Sequence, residues 1–367
     1  MLTAPPSRAF MSADRPLEHL YLHFPFCTGR CGYCAFTSGP PTSDPVNYIH
    51  ALVAERDARQ LHLAPLKSLY CGGGTPGLIG SEGFYALKQS GLFTFSANYE
   101  WTVELHPATV TPALMQTLAD CGVTRISIGV QSFNDDVLRQ CNRRHTAQQA
   151  LEAIRTARAF IPDTGIDLIA GLPGVNDTLW QATLDQCLAL DLPHVSIYAL
   201  SIDEGSIWAR EGRTPPNGDA VCDAIAEAAE RLAAVGLARY ETSNYARSGC
   251  RCQHNLNTWH GGDYVGLGKG AASRIGLTRR AGNGTEETLR PLEDALERAL
   301  TQLRLDEGFD LAQCLSHYPM LAPYAAAWEK LLATYRGNHL LSTINAPTLR
   351  GYEVLDAMER SLLEATL

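Results

Sequence analysis

The sequence predicts an α/β protein: a partial barrel of six β–α units followed by a small, mainly helical C-terminal domain. Two observations predict it. Short apolar, β-branched runs alternate with helical stretches from residue 19 to about residue 240, and that alternation builds a parallel sheet with right-handed crossovers. After roughly Leu237 the alternation stops: Gly and polar residues dominate Ser248–Gly284, and helical pattern returns from Pro291. Six units suit an open barrel better than the eight of a closed one.

Element by element, strands are expected at His19–Phe24, Ser68–Gly72, Glu100–Leu105, Arg125–Val130, Ile166–Ala170 and His194–Leu200. Their apolar character fits strands covered on both faces. Helices are expected at Asp44–Leu61, Gly80–Gln89, Thr111–Asp120, Thr146–Ala159, Asp177–Leu190 and Gly218–Val235. Ser81 and Thr111 read as N-caps, the latter followed by Pro112 at the first helical position. Two further helices are expected at Leu292–Leu303 and Thr348–Leu363. The resulting division is an N-terminal extension (1–18), the barrel (19–240), an irregular segment (241–290) and the C-terminal domain (291–367).

The 367 residues are 45% hydrophobic and 19% charged, enough to build a substantial core. The net charge of −9 argues against nucleic acid as a partner, because that affinity rests on neutralising phosphates with Lys and Arg. No apolar run approaches the roughly 20 residues a bilayer span needs, and residues 1–16 lack the apolar stretch of a signal peptide. A soluble, cytoplasmic protein is expected.

Among eleven cysteines, Cys27, Cys31 and Cys34 fall on one short loop directly after the first strand. Ligand-bearing loops belong at that end of an α/β sheet. Three thiolates can hold three corners of an iron–sulfur cubane and leave one iron open. Structural zinc would need a fourth ligand, for which Cys250 or Cys252 is available. Cys71, Cys121, Cys141, Cys187, Cys222 and Cys314 read as small buried hydrophobes.

The CxxxCxxC loop, preceded by Tyr21-Leu22-His23-Phe24-Pro25-Phe26, resembles the radical S-adenosylmethionine (SAM) superfamily, in its coproporphyrinogen-oxidase-like branch. The resemblance implies a [4Fe-4S] cluster on Cys27, Cys31 and Cys34 whose open iron chelates SAM and whose electron cleaves the sulfonium to a 5′-deoxyadenosyl radical. Cys71-Gly72-Gly73-Gly74-Thr75-Pro76 follows the second strand, where glycines permit close backbone approach to a ligand. The resemblance places Gly73, Gly74 and Thr75 at SAM, together with Tyr21, Tyr33, Glu104, Gln131, Arg143, Asp167 and Ala199. On the residues alone, Glu104 is equally a solvated strand end, and Arg143 and Arg144 equally a solvated pair. Asp167, a lone acid in an apolar strand, needs a partner in any case.

Authentic oxidases of this branch carry a further cysteine two residues beyond the third ligand. Phe36 stands there instead, as in the HemW-type haem chaperones. Cys252-Gln253-His254-Asn255-Leu256-Asn257-Thr258-Trp259 resembles that group's HNxxYW haem signature, which makes His254, Trp259 and Cys252 the haem-binding candidates. A neutral imidazole can ligate haem iron and an indole can stack on a porphyrin. The segment departs from the pattern at Thr258, where the signature has Tyr, and at Ala272, where relatives commonly have His; His260 and Met320 are further potential ligands. The implied function is haem delivery, and the alternative is oxidative decarboxylation of a porphyrinogen. The implied partners are haem, haem-accepting proteins and an electron donor, and a homodimer is the assembly to test for.

Overall fold

A computed structural model describes residues 16–41 and 44–366. Its barrel region runs β1 (Leu17–Phe24), α1 (Pro45–Ala58), β2 (Leu63–Gly73), α2 (Gly80–Gln89), β3 (Phe95–Leu105), α3 (Pro112–Cys121), β4 (Arg125–Gln131), α4 (Asp135–Gln140), α5 (Ala147–Phe160), β5 (Thr164–Ala170), α6 (Asp177–Ala189), β6 (His194–Ala199), α7 (Ile207–Arg210) and α8 (Gly218–Ala234). Strands β1 to β6 pair in chain order and all in parallel. The sheet keeps two ends and therefore stays an open barrel. The expected extension at 1–18 lies outside the described residues up to position 15, and Leu17 and Glu18 already belong to β1.

The strands are covered by helices on one face, and the other face lines the lumen, so the apolar cover expected on both is found on one. Leu20, Leu22 and Phe24 on β1, Trp101 and Val103 on β3, and Ile126 and Ile128 on β4 pack under the helices in one continuous core. The alternate residues face the lumen, and they are polar or aromatic: His19, Tyr21 and His23; Ser68 and Tyr70; Glu100, Thr102 and Glu104; Arg125 and Ser127; Asp167; Ser196 and Tyr198. The period of two in a strand makes this division. Tyr198 stays 41% accessible because it lines the open lumen.

Of the two N-caps expected, one is observed. The Thr111 hydroxyl accepts from the Leu114 N–H, and Thr146 with Gln149 forms a capping box on α5. Ser81 does not cap α2: the helix starts at Gly80 after Ile79, and Ser81 instead accepts from the Thr117 hydroxyl on α3 at 2.8 Å.

The segment 241–290 is not irregular. It contributes β8 (Asn244–Ala246), which with β7 (Ala238–Arg239) extends the sheet antiparallel beyond β6. It continues through α9 (Gln253–Trp259) and β9 (Val265–Leu267), which pairs with the free edge of β1, and a small sheet of β10 (Ser273–Ile275), β11 (Thr278–Arg280) and β12 (Glu286–Thr288). Three-residue strands carry no readable periodicity; β9 exists because β1 offers it Leu20–Leu22 as partners. Buried Arg298 ties the segment to α10 (Pro291–Gln302), bonding Asp263 at 2.8 Å, Asp294 at 2.9 Å, and the Gly276 and Gly261 carbonyls. Then come α11 (Leu311–His317), α12 (Ala325–Gly337), α13 (Leu349–Glu353) and α14 (Leu355–Glu364), which enclose a second core around Phe309, Trp328 and Leu332. The expected helix at 348–363 is thus two helices broken at Val354, and α11 and α12 were not legible in the sequence. Among the described residues, no helix is long and apolar enough to cross a membrane.

Candidate functional site

The cysteine loop leaves the C-terminal end of β1 and closes on itself: the Cys27 N–H donates to Gly39 O at 2.7 Å and the Gly39 N–H to Pro25 O at 2.9 Å. Cys27, Cys31 and Cys34 are free thiols, each half-buried. Residues from other segments hold the loop: the Gly32 N–H donates to Cys141 O at 3.0 Å, Gly32 O accepts from the Trp208 N–H at 2.9 Å, and the Asn142 amide donates to Arg30 O at 2.7 Å. A side chain at Gly32 would collide with the Trp208 indole, so this close approach requires glycine. Arg143 reaches Cys31 Sγ at 3.6 Å and also bonds Gly129 O. Burial opposes its charge, and the neighbouring Tyr33 and Cys31 groups outweigh that and hold it protonated.

Cys252 and Cys250 cannot supply the loop with a fourth thiolate. Cys252 donates to Glu100 at 3.4 Å at the opposite end of the lumen, and Cys250 lies on that same side, near Asp163. Among the described residues no three His, Cys, Asp or Glu side chains gather closely enough for a single metal ion. Of the isolated cysteines, Cys71, Cys121, Cys141, Cys187 and Cys314 are buried, whereas Cys222 is partly exposed.

Beside the loop, the ends of β2 to β5 form a rim. Gly73 takes φ +101°, and a Cβ there would strike the His23 ring. Its N–H donates to Glu104 Oε2 at 3.2 Å, while Tyr70 donates to Glu104 Oε1 at 2.7 Å. Burial, then the nearby Asp167 charge, pushes the Glu104 carboxyl up to about 7. Asp167 has the partners an interior acid needs, Ser127 at 3.0 Å and Ser196, yet burial still raises its pKa. Between β4 and β5 the register slips at Gly129/Gln131, and Gln131 sits in left-handed backbone at φ +70°. Such a bulge re-aims a side chain at the cost of local strain. Thr75 is buried with its hydroxyl 3.9 Å from Cys27 Sγ. Gly74 donates to Phe24 O at 2.9 Å, and Ala199 ends β6 exposed. Tyr21 stacks on Tyr70, with ring centroids 6.1 Å apart.

Three buried polar atoms on this rim have no protein partner: Tyr33 Oη, Gln131 Oε1 and Arg143 Nε. Buried polar atoms are nearly always paired. Unpaired groups gathered beside three thiols and a glycine turn fit a polar, charged ligand. The structure thus brings Cys27, Cys31, Cys34, Tyr33, Gly73, Gly74, Thr75, Glu104, Gln131, Arg143 and Asp167 to one end of the barrel.

The haem-binding candidates Cys252 and His254 are elsewhere, beside Glu100. Helix α9 closes the floor of the lumen. Glu100 receives the backbone N–H of Gln253 (2.8 Å), that of His254 (3.2 Å) and the Cys252 thiol. His254 is 6% exposed, with Nδ1 bonded to Ser68 at 2.9 Å and its ring 5.3 Å from that of Tyr70. Burial, then the adjacent His19, pulls its pKa down to about 3. Trp259 points the other way, under the Arg304 guanidinium at 5.1 Å. Helix α9 buries the face that carries His254 and Leu256.

Several functional residues were missed. Trp208 roofs the loop and packs on Tyr33 at 5.7 Å, and His145, 3.4 Å from His106, braces Val130 O beside Arg143. Tyr70 and Ser127 orient the two rim acids. The alternation of polar residues along β1 to β4 was the available signal for Tyr70 and Ser127; nothing local marks Trp208.

A family model described as the radical SAM superfamily matches residues 21–187. A Haemophilus influenzae protein named "Heme chaperone HemW" is 36% identical over 273 residues, 71% of this chain and 71% of its own length. A Mycobacterium tuberculosis protein of the same name is 34% identical over 374 residues, covering 94% of both. The crystal structure of the coproporphyrinogen III oxidase HemN from Escherichia coli superimposes with a TM-score of 0.80 at 23% identity, over 95% of this chain and 90% of that one, which establishes the shared fold.

Proposed function

The chain belongs to the radical SAM superfamily and, within it, to the HemW-type group, and from that premise we propose that it is a haem chaperone, binding haem and handing it to acceptor proteins. Phe36 carries the choice over an oxidase. It stands two residues beyond Cys34 and is 61% exposed, with no ligating atom where the oxidases of this branch have a thiol.

Cys27, Cys31 and Cys34 would hold the [4Fe-4S] cluster that the family implies, and the unpaired atoms of Tyr33, Gln131 and Arg143 would receive SAM beside it. Bound there, the pair supplies one-electron chemistry. The chain's own work is positioning. Gly73 lets the backbone approach, Glu104 is fixed by Tyr70 so that it faces the rim, and Trp208 with Tyr33 shields the loop from water. Haem ligation by His254 requires α9 to leave the floor, since Ser68 holds the ring and Glu100 the backbone. His260, exposed and bonded to Glu307 at 2.9 Å, is the comparison ligand.

The test is anaerobic incubation of cluster-loaded protein with coproporphyrinogen III, SAM and a reductant, followed by porphyrin chromatography and a separate haem titration. No decarboxylated product together with stoichiometric haem binding supports the chaperone. Multiple turnovers of decarboxylated product would establish the oxidase, an activity that the intact rim keeps in view. In the titration, His254→Ala weakens haem binding and His260→Ala does not.

A further inference from the structure

Glu100 and Arg125 face the lumen from adjacent strands, and only one of them is satisfied. The β3–β4 register sets Thr102 beside Arg125, so Glu100, two residues earlier on the same face of β3, lies diagonally across from it. Diagonal neighbours on a sheet face are about 7–8 Å apart, within reach of a long side chain. The first turn of α9 engages the Glu100 carboxylate in full, through the Gln253 and His254 N–H groups and the Cys252 thiol. Arg125 is only 2% exposed. Among the described residues its Nε meets no acceptor and its guanidinium forms no ion pair. Burial opposes its charge, and Cys252 and Glu100 nearby outweigh that and hold it protonated. Half-buried Asp163 also lies near it and leaves Oδ1 without a partner. A buried guanidinium without a partner is costly, so this one needs an occupation that the closed floor does not give it.

His254 reaches a ligand only if this floor opens. Opening strips Glu100 of three bonds and strands its charge in the lumen, and a buried charge left without its partners is strongly destabilising. The other contacts of this turn are neutral hydroxyls, Tyr240 on the Cys252 N–H at 3.2 Å and Ser68 on His254 at 2.9 Å. Just past the far end of α9, Gly261 O is held by Arg298, whereas Gly249, ahead of the first turn, takes left-handed backbone with open space around it. We propose that Arg125 is the second seat of Glu100: as the first turn of α9 lifts, the carboxylate leaves the helix and pairs with the Arg125 fork. The floor then has two discrete states. Closed, Glu100 holds α9 and Arg125 is unpaired. Open, Glu100 and Arg125 hold each other and the α9 N–H groups turn to solvent. Arg125 is thus a positioning residue that acts on α9 through Glu100 and sets the cost of opening. The consequence for haem rests on His254 being its ligand; the two states of the floor do not.

The experiment uses the full chain, reconstituted anaerobically. Hydrogen exchange of α9 is read by mass spectrometry before haem is added, and a haem titration follows. Arg125→Met removes an unpaired buried charge from the closed state and the second seat from the open one. Exchange at Gln253 and His254 is expected to slow about tenfold, with the melting temperature unchanged or raised. A merely structural arginine gives the opposite sign, faster exchange and a lower melting temperature. Glu100→Gln leaves an acceptor for α9 but no charge for Arg125. It should speed exchange about fivefold, and in that background Arg125→Met should have no further effect. Arg125→Lys keeps the charge without the fork and should slow exchange about threefold, which decides the matter if the Met variant does not fold. Exchange that is faster or unchanged in the Arg125 variants, or slowed equally in the Glu100→Gln background, overturns the proposal, as does a cycle that closes on Asp163→Asn instead. Haem affinity should fall about tenfold in Arg125→Met and rise in Glu100→Gln. Affinity indifferent to both and to His254→Ala, with exchange as expected, removes His254 as the haem ligand and leaves the two states of the floor standing.

Discussion

The two ends of the barrel lumen are made of the same kinds of residue and differ in how those residues are satisfied. At the rim, Tyr33, Gln131 and Arg143 bury polar atoms that find no partner, and Gln131 is held in left-handed backbone. At the floor beneath β1 to β3, Ser68, His19, His254 and Glu100 bond one another and the backbone of α9. The rim joins its unpaired groups to left-handed backbone and three thiols, which marks it as prepared for a ligand, whereas on the β1–β3 side of the floor the polar groups satisfy one another and hold α9 in place. The β4–β6 side of the floor is intermediate: Arg125 Nε, Asp163 Oδ1 and His194 Nδ1 lack protein partners.

The largest effect that can break this comparison is at the rim. Cys31→Ala should abolish cluster uptake, read as iron, sulfide and visible absorbance, while the melting temperature of the apo chain moves little. A large loss of apo-protein stability would show that the loop is structural rather than prepared for a ligand. At the floor the converse is expected. Glu100→Ala strips α9 of three bonds and should cost about 2–4 kcal/mol in denaturant unfolding, with cluster absorbance retained.

One group from each end, His254 and Glu104, should also respond oppositely to pH. The folded state holds His254 near pKa 3, against 6.5 in the unfolded chain. Its contribution is therefore full above pH 6.5 and is lost as pH falls, by about 2 kcal/mol between pH 6.5 and 5. Glu104, raised from 4.5 to about 7, does the reverse, its contribution being full below pH 4.5 and lost as pH rises through 7. Urea titrations across this range check both. His254→Asn should flatten the acid limb and Glu104→Gln the neutral one; identical slopes in variant and wild type would remove the distinction. The smallest effect is Trp259→Ala, which loses its contact with Arg304 and part of a small core patch. A cost of about 1–2 kcal/mol is expected, with little change in haem affinity. A tenfold loss of haem affinity would place Trp259 at the haem site.

By itself the sequence determined the six parallel strands, the cysteine loop at their C-terminal end and the glycine turn of Gly72–Gly74, because each is written in residues close together in the chain. Periodicity places an element, and a loop's ligands travel with it. Family resemblance then selected Glu104, Gln131, Arg143 and Asp167, which lie on four different elements or connections and share no local signal. Only the tertiary structure decided which face of each strand looks into the lumen, that Trp208 roofs the loop, and that β9 closes onto β1. It alone turned His254 inward. The same heptapeptide of α9 would present an imidazole to solvent if its other face were buried. The choice was made by Ser68 and Glu100, more than 150 residues earlier in the chain, whose polar groups needed partners at the floor of the barrel.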